Sequence, residues 1–336
     1  MPTLIDISSE AIAWVERALA DHPVGPVFGR VASSVIWSDA RGADGALLVA
    51  LDPVALAASV NTRPYPLLLG HDPGRPLGKM LKAEVFTSPA GEVFVAAIMG
   101  FYGEDQRLGF GALGFDVEAD VPSPTELPTL PEGLRFAVHA DPRDIELSAL
   151  DDLARDAPIA VDVEVRSNND AEPQHTLVVI SVMFVTLVWN PFVTTLATEA
   201  AKDVYAGLKR WLTEATVRIA QRRNPAVEVQ STHGGCHLSF MFRGQDIALH
   251  YKAHEVLPEA AARAARLIGQ MTAAGLGPVR LVYEFHSTTE RWHPSYAELG
   301  DGRLVSDNAS LIAMENLPSG LSLGLGLGLQ SLEEAD

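Results

Sequence analysis

The chain has 336 residues, of which 47% are hydrophobic, enough for a sizeable core in two domains or one large one. Its 43 acidic and 25 basic residues give a formal net charge of -18. A surface that acidic repels phosphate backbones, so nucleic acid is excluded as a general partner. The basic residues that stand closest together, Lys209, Arg210, Arg222 and Arg223, fall in one predicted helix and read as a solvated face. The single cysteine, Cys236, cannot form a disulfide within the chain, which fits a reducing, cytoplasmic setting.

The first twenty residues, MPTLIDISSEAIAWVERALA, carry acids and lack a basic leader, so they read as an amphipathic helix opening near Ser8 or Ser9. Residues 26 to 60 read as strands around the polar turn DARGADG, followed by a short helix near Pro53. Two strands, 65 to 70 and 77 to 86, flank the turn that holds His71, Asp72, Pro73 and Gly74. GEVFVAAIMGFY, 91 to 102, is a third strand, and ALGFDVEADV, 112 to 121, reads as a fourth.

Four prolines between 122 and 133 mark a linker. Beyond it come a strand at RFAVHA, a helix over 141 to 157 with acids in its first turn, and a strand at PIAVDVEVRS. Residues 176 to 197 carry no charge and are just long enough for a membrane span. Pro191 and the heavy β-branching favour a buried strand followed by a helix instead. A long helix over 195 to 223 is stopped by Asn224-Pro225. Three strands follow, AVEVQSTH, CHLSFMFRG and DIALHYKA, then a helix, LPEAAARAARLIGQMTAAG, and a strand, PVRLVYEFHS. The predicted fold class is therefore α+β: a β-rich domain over 1–121, a proline-rich linker and connecting segment over 122–175, and a helix-and-antiparallel-sheet domain over 176–336. The tail repeats Gly-Leu, which weakens any strand there.

Chemistry concentrates in three places. His233, Cys236 and His237, with His250 and His254 downstream, have side chains that bind zinc, but their spacing matches no zinc motif. A Gly234-Gly235 hairpin also sends Cys236 and His237 to opposite faces. No metal and no cofactor is expected. Trp292, His293, Tyr296 and Arg303 lie near the Asp301-Gly302 turn and read as an irregular loop pinned to the core by its aromatics, with ligand or partner recognition as the alternative. The chain has no P-loop; its G-x-G-x-x-G, Gly109 to Gly114, neither directly follows a predicted strand nor opens a helix, and its G-x-S-x-G, Gly320 to Gly324, lies within the Gly-Leu tail rather than between a strand and a helix, so nucleotide-dependent and α/β-hydrolase chemistry lack support.

The third place is His71. The motifs Leu67-Leu68-Leu69, His71-Asp72, Pro76-Leu77-Gly78-Lys79 and Glu92 to Ile98 resemble the histidine-bearing segment of the phage prohead serine proteases, relatives in fold of the herpesvirus assemblins. Val31-Ala32-Ser33-Ser34, the turn Asp39 to Gly45 and the helix Pro53 to Ser59 extend the resemblance, which covers about residues 26 to 116. It implies a serine nucleophile activated by His71, because a free hydroxyl is a weak nucleophile without a base in contact. In that family the serine lies in a downstream strand reading L-S-[IL]-G-F. The nearest match here is Gly111-Ala112-Leu113-Gly114-Phe115, with a methyl group, Ala112, at the serine position. Two readings follow. The favoured one is a non-catalytic, protease-like assembly or protein-binding module acting on a protein partner or on itself. The other is a serine endopeptidase in which Ser148 or Ser167 supplies the hydroxyl.

Overall fold

The computed structural model describes residues 3–42, 44–49, 51–69, 72–119, 136–140, 146–157, 160–165, 176–181, 207, 210–211, 213–215, 218 and 225–307. The fold is α+β, and two compact units divide between Arg107 and Leu108.

The first unit is a four-stranded antiparallel sheet with a helix on each face. Its elements are α1 (Ser9–Asp21), β1 (Arg30–Ser38), α2 (Pro53–Thr62), β2 (Tyr65–Leu68), β3 (Pro76–Thr87) and β4 (Val93–Phe101), with strand order β1-β4-β3-β2. Ser8 caps α1 by accepting from the Ala11 amide at 3.4 Å. Asp52 caps α2, accepting from the Val54 and Ala55 amides at 2.8 and 3.0 Å, and Pro53 opens the helix where its missing N–H costs nothing.

Strand β4 explains the architecture. Its residues from Phe94 onward are all buried, and alternation divides them. Phe94, Ala96 and Ile98 pack with Trp14, Val15 and Ala18 of α1, while Val95, Ala97, Met99 and Phe101 pack with Ala57 and Val60 of α2. A strand buried on both faces reads as a continuous apolar run, as VFVAAIMGF does. Edge-on and tilted ring contacts, Trp14–Phe86 at 5.6 Å and Phe86–Phe94 at 5.7 Å, fix the α1 side.

The second unit is an eight-stranded mixed sheet. Its strands are β5 (Phe136–Ala140), β6 (Val161–Val165), β7 (Thr176–Ser181), β8 (Pro225–His233), β9 (Cys236–Arg243), β10 (Pro278–His286), β11 (Arg291–Leu299) and β12 (Leu304–Val305), and their order is β12-β11-β10-β9-β8-β7-β5-β6. Helix α3 (Leu147–Arg155) joins the parallel pair β5/β6, and α4 (Ile247–Ala273) joins the parallel pair β9/β10. The pair β7/β8 is also parallel, and its connection includes the helical residues Gly207, Arg210, Trp211, Thr213–Ala215 and Arg218. Strands β8 and β9 meet through Gly234 (φ 56°) and Gly235 (φ 81°), the left-handed pair that a two-residue hairpin demands.

Three expectations change. DIALHYKA is not a strand. Asp246 accepts from the Ala248 and Leu249 amides, and one helix runs from Ile247 to Ala273 through Pro258. His250, Ala253, His254 and Leu257 supply its first buried stripe. The stretch 290 to 307 is not an irregular loop. It forms β11, a tight turn and β12, and Pro294 sits beside the register shift of the β10–β11 ladder, a position that tolerates the lost donor. Residues 112 to 119, the described part of the predicted fourth strand, are not a strand. Phe110 to Gly114 make turns, with Leu113 N donating to Gly109 O and Phe115 N to Phe110 O, and Leu108 bridges to Val305 in the second unit.

The linker 122–133, Ser167 and the tail lie outside the described residues. So do residues 182–197 of the apolar run, while its first six residues form β7. Among the described residues, no helix is long and apolar enough to cross a membrane.

Candidate functional site

The turn between β2 and β3 is built by its carboxylate. Asp72 is buried, its Oδ1 accepts from the Gly74 amide at 2.8 Å, and its amide donates to Leu69 O at 3.1 Å. Leu69 N donates to Arg75 O and Arg75 N to Asp72 O, which closes the loop. This is an Asx-turn, and the Asp-Pro-Gly sequence encodes it. His71 itself lies outside the described residues; Leu69 and Asp72, on either side of it in the sequence, belong to the turn between the edge strand β2 and β3.

The same end of the sheet is compressed. Gly78 on β3 lies opposite Phe101 on β4, and an added Cβ would stand 1.9 Å from the neighbouring Gly100 O. A Cβ on Gly100 would strike the Phe28 ring, which stacks on Tyr102 at 5.6 Å. These glycines are needed for backbone approach, so the Pro-Leu-Gly-Lys motif is accounted for by packing.

Acyl transfer needs a hydroxyl in contact with the imidazole. Among the described residues of these four strands, the aliphatic hydroxyls are Ser33, Ser34, Ser38 and Thr87. The serines stand on β1, three strand spacings from β2, or about 14 Å. Thr87 ends β3 at the pole opposite the turn. Ala112, at the family's serine position, is exposed in a turn of the second unit. Ser148 is exposed in the first turn of α3, where its Oγ meets Glu146 Oε2 at 3.5 Å.

The cysteine and histidines of the second unit do not converge on a metal. Cys236 is fully buried, and burial pushes its thiol up to about 12. His233 is exposed on the hairpin, one residue before the glycines. His250 and His254 are buried against Phe242, at ring separations of 6.0 and 5.0 Å, and His250 Nε2 meets Gly244 O at 2.6 Å. Among the described residues, no group of three His, Cys, Asp or Glu side chains is placed to hold a metal ion.

Trp292 and Tyr296, expected to pin a loop, are buried on opposite faces of β11. Trp292 joins the α4 core, edge-on to Phe242 at 4.5 Å, with its Nε1 donating to Ala253 O at 3.0 Å. Arg303 reaches back to Asp301 at 2.7 Å across the turn, and its charge and hydrogen bonds hold the Asp301 carboxyl below the usual range against the opposing effect of burial. His293 Nδ1 meets Glu118 Oε1 at 2.8 Å, with the His286 ring 4.7 Å away.

The face of the second sheet opposite α4 carries a polar row that no sequence motif marks. Ser239 Oγ, fully buried, donates to Glu228 Oε1 at 2.6 Å, and Arg280 Nη2 donates to the same oxygen at 3.3 Å. Tyr296, then Glu228 and Glu298, push the Arg280 guanidinium above its ordinary range, against the burial that opposes its charge. Arg243 pairs with Glu284 at 3.0 Å on the same face. The signal was present as alternation: Glu228 between Val227 and Val229, Ser239 between Leu238 and Phe240, Arg280 and Glu284 flanking Leu281 and Tyr283. These groups pair across β8, β9 and β10, although the Nε atoms of Arg243 and Arg280 are buried without a hydrogen-bond partner among the described residues. The Ser239 hydroxyl and the Glu228 carboxylate are in contact, but both are buried, at 0% and 1% exposure. No family model, no curated protein and no solved structure matches the chain.

Proposed function

We propose that the chain is a non-catalytic module that works through protein contacts, assembling with itself or with a protein partner. The observation that carries this reading is that, among the described residues, the strand hydroxyls of the first unit, Ser33, Ser34 and Ser38 on β1 and Thr87 at the far end of β3, stand away from the β2 edge that leads into the His71 segment. An imidazole without a hydroxyl in reach has no acyl-transfer role. The sequence resemblance to prohead proteases supports a protease-like ancestry, phage-related, for this unit. Cys236, the only cysteine and a buried neutral thiol, fits work in a reducing cytoplasm. The test is labelling by a fluorophosphonate, which reacts with activated serines. The wild-type chain and His71→Ala should both remain unlabelled, whereas a label present in the first and absent in the second makes the chain a serine hydrolase.

A further inference from the structure

Strand β1 is an open edge. Among the described residues it pairs with β4 alone, and no backbone hydrogen bond from a neighbouring loop ends on Val31 to Ser38. Five of its nine residues are half-buried, among them the small Ala32 and Ser33, whereas β4 beside it is closed from Phe94 onward. Natural edges of this length are blunted by charge or proline. Here Val31 to Ser38, VASSVIWS, has neither. We propose that β1 is a dimerisation edge, on which a second copy of this chain pairs antiparallel to join two four-stranded sheets into one of eight. This rests on the reading of the chain as an assembly module and names the surface that assembles.

Charge and register select a second copy as the occupant. A basic residue, Arg30, opens the uncharged stretch and an acidic one, Asp39, closes it. In a two-fold antiparallel pairing, facing residues must lie on the same side of the sheet. Arg30 lies opposite Phe101, on the α2 side, and counting straight along the strand would put Asp39 on the α1 side. The bulge corrects this. Val35 faces Ala96 and Trp37 faces Val95, so Ile36 is the extra residue and Ile36 and Trp37 both join the α2 core. Asp39 thereby returns to the α2 side with Arg30. With Ser34 opposite its own copy on the two-fold axis, Ser33 faces Val35, Ala32 faces Trp37, Val31 faces Ser38 and Arg30 faces Asp39, each pair on one side. Both ends of the joint then close on opposite charges. Arg30 stacks over Phe101 at 5.3 Å, and among the described residues neither it nor Asp39 has an ion partner within the chain.

The experiment is sedimentation velocity of the full chain from about 1 to 100 µM, the range in which short interfaces associate. Wild type should dimerise with rising concentration. Arg30→Glu and Asp39→Arg each turn both symmetry-related pairs repulsive and should weaken the dimer about tenfold or more. The double variant, with the charges exchanged, should restore it, while circular dichroism of all four proteins stays the same. A monomer at every concentration, or a dimer indifferent to both single variants, overturns the proposal. Fluorophosphonate labelling on the same samples separates the two claims. An unlabelled monomer removes the edge and leaves the module, whereas a His71-dependent label removes the module whatever the sedimentation shows.

Discussion

Replacing Gly78 by Ala tests how tightly β3 and β4 hold the base of the His71 turn. The new Cβ would lie 1.9 Å from Gly100 O and 2.9 Å from the Phe101 Cα, and ordinary contact begins near 3.4 Å. Relief needs about 1.5 Å of movement between the two central strands, nearly a third of their roughly 4.8 Å spacing. Both partners are backbone, so no side chain can swing aside. The ladder bonds beside this point, including Tyr102 N to Leu77 O at 2.9 Å, would stretch or break. Two such bonds at about 1 kcal/mol each, plus overpacking of about 1–3 kcal/mol, give a loss of about 3–5 kcal/mol. Native-state hydrogen exchange reads this strand by strand. Amides of β4 should exchange at least about a hundredfold faster, while those of β8 to β10 in the other unit keep their protection. Gly111→Ala, where an added Cβ meets nothing within 4 Å, should change neither. Unaltered β4 protection in Gly78→Ala would refute the reasoning.

Asp52→Ala removes the oxygen that accepts from two amides of α2, and should lower stability by about 1 kcal/mol in thermal melts. Glu228→Ala leaves the Ser239 hydroxyl and the Arg280 guanidinium without their shared acceptor, and should cost about 3 kcal/mol in denaturant unfolding, whereas Glu228→Gln, which keeps an acceptor, should cost less. Cys236 should resist a thiol reagent near pH 8 in the folded protein and react on unfolding. Its folded pKa lies above the unfolded value of 9.0, so its contribution to stability is whole below pH 9 and declines as pH rises toward 12, measured by melts across that window.

Elements with a strong local signal were legible in the sequence. Ser8 and Pro53 announced helix starts, the Gly234-Gly235 pair announced a hairpin, and β4 read directly as an apolar strand. The errors share a cause, because period and punctuation disagreed. In DIALHYKA the apolar residues Ile247, Leu249 and Tyr251 alternate as in a strand, while the helix buries His250 and His254, which a hydropathy reading counts as polar. Pro258 stands at the predicted start of a helix and is an interior residue; Pro294 lies in the stretch read as an irregular loop and sits at a bulge. The segment from Ala112 reads as a strand on its β-forming residues alone. The two glycines beside Ala112, Gly111 and Gly114, the latter at φ 82°, serve a turn. The polar row of Glu228, Ser239 and Arg280 escaped because its members lie on three strands and meet only after the sheet forms.

The most direct measurement is peptide-level mass spectrometry of the full chain after fluorophosphonate treatment. The account predicts unmodified serines throughout, Ser33, Ser34, Ser148 and Ser167 included, with no difference between wild type and His71→Ala. A phosphonate adduct on any one serine of the wild-type chain, lost when the imidazole is removed, would contradict it and identify the nucleophile.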